Sequence, residues 1–204
     1  LVRLRNESRP TLPEVHYLYL PALTAWCRAL VPLGLPLHVA ATLLSAVGTT
    51  AGVGLVYAAT RVLDQRPARA ARIAVLVATC PAVFFFPTVV EIHGLFFAAF
   101  GLCALGIAQL AMRPSILAAI ATGVDSALAD CVHNSGALLP VVLAGMFLAL
   151  ARERPWHARR NLQLVAVLVA AHAALVAAGP HVLSLLLPGS VDSSSAAGTL
   201  LRCS

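Results

Sequence analysis

The sequence predicts an all-α protein, a polytopic transmembrane helix bundle of about six spans plus one juxtamembrane helix, and three observations carry that reading. Of the 204 residues, 60% are apolar and 11% charged, which leaves too little polar surface to clothe a water-soluble globule. The apolar residues come in runs near the roughly 20 residues that a helix needs to cross a hydrocarbon core of about 30 Å. The net charge of +6 comes from arginine alone, with no lysine anywhere, and the arginines gather at the ends of apolar runs. That distribution encodes topology and not a nucleic-acid footprint, so the expected partner is the lipid bilayer and no nucleic-acid partner is expected.

A single integral membrane domain accounts for residues 1–204, with an outer loop and juxtamembrane helix over 1–36, the bundle over 37–187 and a polar tail or outer loop over 188–204. The polar opening from Leu1 to Glu14 lacks the basic start and apolar middle of a signal peptide and reads as part of a longer chain, a fragment without its N-terminal portion. From His16 to Leu35, the interface-favouring Tyr17, Tyr19 and Trp26, a central Arg28, and the interruptions at Pro21 and Pro32 suit a helix lying on the membrane surface. A crossing is the alternative there, and it places Arg3, Arg5 and Arg9 inside.

Four spans are clear: Leu37 to Thr60, Ile92 to Met112, Leu138 to Ala151 with a few preceding residues, and Leu162 to about Leu187. Two shorter runs complete the six. Ile73 to Thr88 is interrupted by Pro81 and Pro87, and Ile116 to Asp130 carries Asp125; either break is tolerable where neighbouring helices supply partners. Gly48 and Gly52 form a G-x-x-x-G spacing that lets two helices approach closely. Five cysteines (Cys27, Cys80, Cys103, Cys131, Cys203) make no C-x-x-C pair, and most sit in apolar runs as small hydrophobes.

Arginine is retained on the cytoplasmic side of short loops. Arg61, Arg66, Arg69 and Arg72 fall in one loop, Arg113 in a second, and Arg152, Arg154, Arg159 and Arg160 in a third; the intervening loops have none. The protein is thereby expected in the cell (inner) membrane with these loops cytoplasmic. The turns around 87–93 and 130–134, and the chain from Pro188, then lie outside.

Those outer turns hold most of the remaining polar chemistry: Glu91 and His93 in one, Asp130, His133 and Asn134 in the other. They are expected to meet on one face. Acids and histidines at this spacing can coordinate a divalent cation, hold a phosphate-bearing ligand through such an ion, or act as a general acid/base pair. A divalent cation is thus the one cofactor the cluster suggests, although no residue is assigned as a metal ligand. The competing reading is helix capping at headgroup level. Asp125 is the stronger individual signal, because an acid well inside a span usually faces a cavity or a partner. His16 and His38 fall at the outer boundary and are secondary candidates. His172 and His181 read as packing residues of the last span and are left out of the site. There is no Walker-type phosphate loop, no H-E-x-x-H zinc helix and no G-x-S-x-G elbow. Asn134-Ser135-Gly136 beside His133 lacks the setting of an intramembrane serine protease.

The order of segments resembles the polytopic GT-C glycosyltransferases, the family of protein O-mannosyltransferases and of the enzyme that adds aminoarabinose to lipid A. The segment His16-Tyr17-Leu18-Tyr19-Leu20-Pro21 is similar to that family's juxtamembrane helix, without its double proline. Val56-Tyr57-Ala58-Ala59-Thr60-Arg61 is similar to its following span end. Phe84-Phe85-Phe86-Pro87 with Glu91-Ile92-His93-Gly94 resembles the proline and acid that open the next helix, and the stretch from Leu128 to Pro140 resembles a later polar span end. The resemblance implies transfer of a sugar from a polyprenyl-phosphate donor at the outer face, with Glu91, His93, Asp130, His133, Asn134 and His16 helping to bind the lipid-linked sugar donor. It puts the catalytic acid in an outer loop before Leu1, and the role is not carried onto Glu7 or Glu14. Two further classes stay open: a transporter or permease subunit with Asp125 in a solute or proton path, and an assembly subunit whose outer loops carry no chemistry.

Overall fold

The computed structural model describes residues 18–88, 92–152 and 158–186, with residue 20 and residues 179–186 described by backbone alone. Among these are eight α-helices: α1 Tyr19–Leu30, α2 Leu37–Leu63, α3 Pro67–Ala78, α4 Pro81–Phe85, α5 His93–Met112, α6 Ile116–Val132, α7 Leu139–Arg152 and α8 Ala158–Leu186. The chain is all-α. Four stretches are long and apolar enough to cross a membrane: Leu37–Leu63, His93–Met112, Asn134–Arg152 and Ala158–Ala178.

The two shorter runs take different forms. Pro81 lacks an N–H and Cys80 before it is extended, so the run from Pro67 breaks there. The two halves, Pro67–Ala78 and Pro81–Thr88, meet at 68° and make a fifth candidate span if they cross as one broken element. The other run forms α6, which has 17 residues and rises about 25 Å at 1.5 Å per residue, short of a core of about 30 Å. The fold therefore carries four to five candidate spans, fewer than the six the sequence predicts.

Which side chains face inward also fits lipid as the solvent. On α2 the buried positions are Ala40, Ala41, Leu44, Ser45, Gly48, Thr49, Gly52 and Ala59, while Val39, Leu43 and Val47 are exposed. Small residues inside and large apolar ones outside let helix backbones approach where hydrocarbon, and not water, is the alternative environment. Leu76, Phe84, Leu117 and Val141 on other helices are likewise exposed.

The G-x-x-x-G spacing of α2 meets α5. A Cβ on Gly48 would stand 2.7 Å from the carbonyl carbon and oxygen of Gly94, and one on Gly101 would stand 2.8 Å from Leu55 Cβ. A second centre gathers α5, α6, α7 and α8 around Cys103, Ile107, Leu110, Leu143, Phe147 and Leu168. Here α6 and α8 run in the same direction. Arg160 Nη2 donates to the Pro114 carbonyl at 3.0 Å at one end, and Gly123 lies against Leu168 and Ala171 further along.

Helix α1 lies across the arginine-poor end of the bundle. The Leu18 N–H donates to the carbonyl of Cys131 at 3.0 Å, in the last turn of α6, and Trp26 Nε1 donates to the carbonyl of Ala40 at 2.9 Å, in the first turn of α2. Twelve residues joined to the same end at both points form a helix on that end. Gly34, with φ of 90°, closes the short turn after it, a conformation that favours glycine.

Candidate functional site

Local sequence explains how the site residues come together. Ser115 caps α6, its Oγ accepting the Ala118 N–H at 3.1 Å, and the helix ends at Val132 with an extended His133. The chain then turns back over α6 in a 3-10 turn, Asn134–Leu138, which His133 starts by accepting the Ser135 N–H on its Nδ1 at 3.1 Å. Gly136 is required at the closest approach, because a Cβ there would collide with the Asp130 backbone. The fold-back brings the Ala137 N–H onto the Asp130 carboxylate.

From the other side, α5 begins at His93. Its ring lies 5.4 Å from that of His133, centroid to centroid, and stacks on Phe86 at 5.4 Å and 14°. Phe96 packs against His133 at 5.1 Å. Two imidazoles thus sit side by side between two phenyl rings at the arginine-poor end of the bundle. The close approach of Gly94 to α2 fixes where α5 starts, and with it His93.

The structure brings His93 and His133 together, with Asp130 one turn below His133 on α6. Asn134 is exposed at the first position of the 3-10 turn. Glu91 and His16 lie outside the described residues, so their meeting with the pair is not described. His38 is exposed on the first turn of α2. Among the described residues, no group of three or more His, Cys, Asp or Glu side chains is arranged to hold a metal ion. At His133 one ring nitrogen accepts a backbone N–H while the ring faces His93.

Asp125 and Asp130 face different neighbours. Asp125 is half-buried toward α5, where a Cβ on Gly106 would be 3.4 Å from Asp125 Oδ2 and 2.8 Å from Thr122 Oγ1. Asp130 faces α8, where the buried His172, read from the sequence as a packing residue, makes two polar contacts. His172 Nε2 stands 3.7 Å from Asp130 Oδ2, and His172 Nδ1 is 2.9 Å from Ser126 Oγ. Ser126 and Asp130 are four residues apart, on one face of α6, and the glycine contact at Gly123 brings α8 close enough for His172 to reach both. The available sequence signal was that four-residue spacing. The side chain of His181 lies outside the described set.

Comparison with protein families, with characterised proteins and with solved structures finds no match to this chain.

Proposed function

We propose that the chain belongs to a membrane transferase that takes a sugar from a polyprenyl-phosphate donor at its outer face and passes it to an acceptor there, with the arginine-rich turns cytoplasmic. The observation that supports this reading is the His93–His133 pair, wedged between Phe86 and Phe96 at the arginine-poor end. An imidazole pair at headgroup level offers N–H donors to a phosphate, while the donor's lipid tail stays in the bilayer. The segment order that resembles GT-C glycosyltransferases points the same way. In the reaction, the bond from the anomeric carbon to the phosphate oxygen breaks and one to the acceptor oxygen forms. The acceptor hydroxyl gives its proton to a carboxylate acting as general base, and polyprenyl phosphate leaves.

The test is turnover by the intact protein, reconstituted in lipid, with a panel of polyprenyl-phosphate sugars. His93→Ala and His133→Ala are expected to lower transfer at least about tenfold, the loss expected when a phosphate contact of about 1.4 kcal/mol is removed, with membrane insertion retained. Wild-type rates in both would overturn the site. A second reading, a solute or proton path, is favoured by Asp125, which faces α5 beside Thr122 and the side-chain-free Gly106. It predicts flux that Asp125→Asn abolishes, in a protein without transfer activity.

A further inference from the structure

The Ser126–His172–Asp130 network holds groups that the transferase reading does not use, and its hydrogen count is informative. Ser126 is fully buried, and its one hydroxyl hydrogen has two acceptors within reach: the Gly123 carbonyl at 2.9 Å and His172 Nδ1 at 2.9 Å. If the hydrogen goes to Nδ1, a neutral His172 carries its own hydrogen on Nε2 and points it at the Asp130 carboxylate. If it goes to Gly123, then Ser126 accepts from Nδ1–H. A neutral imidazole would then set a bare Nε2 against Asp130 Oδ2 at 3.7 Å, two electron-rich atoms facing each other in a poorly hydrated site. One added proton, on Nε2 or on the carboxylate, removes that conflict.

We propose that Ser126, His172 and Asp130 form a proton-binding site between α6 and α8, in which uptake of one proton swings the Ser126 hydroxyl hydrogen from His172 to Gly123. The proton enters at Asp130, whose side chain is 16% exposed against 11% for His172, and which lies in the last turn of α6, the end nearer the His93–His133 pair. No covalent bond other than those to hydrogen changes. The proton is held jointly by the imidazole and the carboxylate, so the pair titrates as a unit.

Among the described side chains, which do not include that of His181 on α8, Asp130 is the charged group opposite His172. On α6 the other titratable groups are Asp125, which faces α5, and Cys131, adjacent to Asp130 in sequence. On α5 they are Cys103, which feels Asp125, and His93 at the end of the bundle. Along α7, from Leu139 to Leu150, there is none, and Arg152 stands at the opposite end. The turn between α6 and α7 contributes His133, engaged by Ser135 and His93. On α8 itself, Arg159 and Arg160 belong to the far end, where Arg160 holds Pro114.

The site is independent of what the outer face binds, and its test is separate. Protein labelled with nitrogen-15 at histidine and embedded in lipid is followed by solid-state NMR from about pH 4 to about pH 9, a range that brackets the ordinary histidine titration, with the His172 signals assigned by their loss in His172→Gln. The expected result is a single transition in which Nδ1 is unprotonated at high pH and protonated at low pH. In Asp130→Asn that transition should fall by roughly 1–3 pH units, the effect of removing an adjacent opposite charge. A protonation pattern of His172 that stays fixed across the range in the unsubstituted protein, or an unmoved transition in Asp130→Asn, would overturn the proposal. The first of these is read in the unsubstituted protein, with His172→Gln serving only to assign its signals.

Discussion

Gly48 of α2 and Gly94 of α5 touch backbone to backbone, so that a Cβ on Gly48 would lie 2.7 Å from the Gly94 carbonyl carbon and oxygen and 2.9 Å from the Leu95 nitrogen. Nothing at that contact is a flexible side chain that could move aside. Gly48→Val is therefore expected to force α2 and α5 apart and destabilise the protein by about 1–3 kcal/mol or more, seen as a lower unfolding temperature in detergent. Gly54→Ala, on the same helix with no atom within 4 Å of the added Cβ, is expected to leave stability unchanged or raise it by up to about 1 kcal/mol. Equal effects at the two positions would mean that the backbone contact does not set helix spacing.

At His133, backbone capping and ring contact can be separated by substitution. His133→Ala removes the acceptor of the Ser135 N–H and is expected to cost about 0.5–2 kcal/mol, as loss of a helix cap does. His133→Asn keeps a short side-chain acceptor and is expected to recover most of that stability while losing the ring that faces His93. A stability assay read beside the transfer assay then distinguishes the roles. If His133→Asn restores transfer along with stability, the ring has no chemical part.

The α2–α3 turn supplies a pH dependence whose sign follows from its geometry. The Arg66 backbone N–H donates to Asp64 Oδ1 at 3.2 Å, and the Arg69 guanidinium meets Oδ2 at 2.5 Å; the first of these contributes most to holding the Asp64 carboxyl below its ordinary value of 3.8. Because the folded value is depressed, the turn's stabilisation is fully present above the unfolded value. It is lost as pH falls through the folded one. The effect is small at this exposed site. The Arg66 amide proton resonance is expected to shift with a midpoint below 3.8 and to lose that transition in Asp64→Asn. A midpoint at or above 3.8 would mean that the two contacts do not form in solution.

Much of the fold was legible because hydropathy and helix length are local properties. The runs from Leu37, Ile92 and Leu162 began helices within a few residues of the expected points, and Pro81 announced the break between α3 and α4. The angle of that break was not legible, since it depends on what packs beside it. The shortness of α6 was legible in the run from Ile116 to Asp130; what was not is whether so short a helix reaches both surfaces. The His93–His133 contact could be anticipated from two turns at one end of the bundle. His172 could not be placed in the same way: its partners lie 46 and 42 positions away, and only the parallel packing of α6 and α8, set by Gly123, brings them within reach.

Sidedness remains the property on which the outer-face proposal depends, and charge argues it strongly. The end of α2, the start of α3 and the turn between them hold Arg61, Arg66, Arg69 and Arg72 against a single acid, Asp64, whereas the turns at 88–93 and 133–138 hold no arginine. Drawing an arginine through a bilayer centre costs about 2.5–3.5 kcal/mol on an insertion scale, so an inverted orientation would have to carry several such charges across. Two exposed positions, one at each end of the bundle, test this directly. Ser135→Cys is expected to add labelling by an impermeant thiol reagent in intact cells, above the level of the unsubstituted protein. Gln65→Cys should add labelling only after the membrane is permeabilised. The reverse pattern would put the His93–His133 pair in the cytoplasm, where a donor would have to be drawn from the inner leaflet, and would remove the outer-face reaction while leaving the α6–α8 proton site intact.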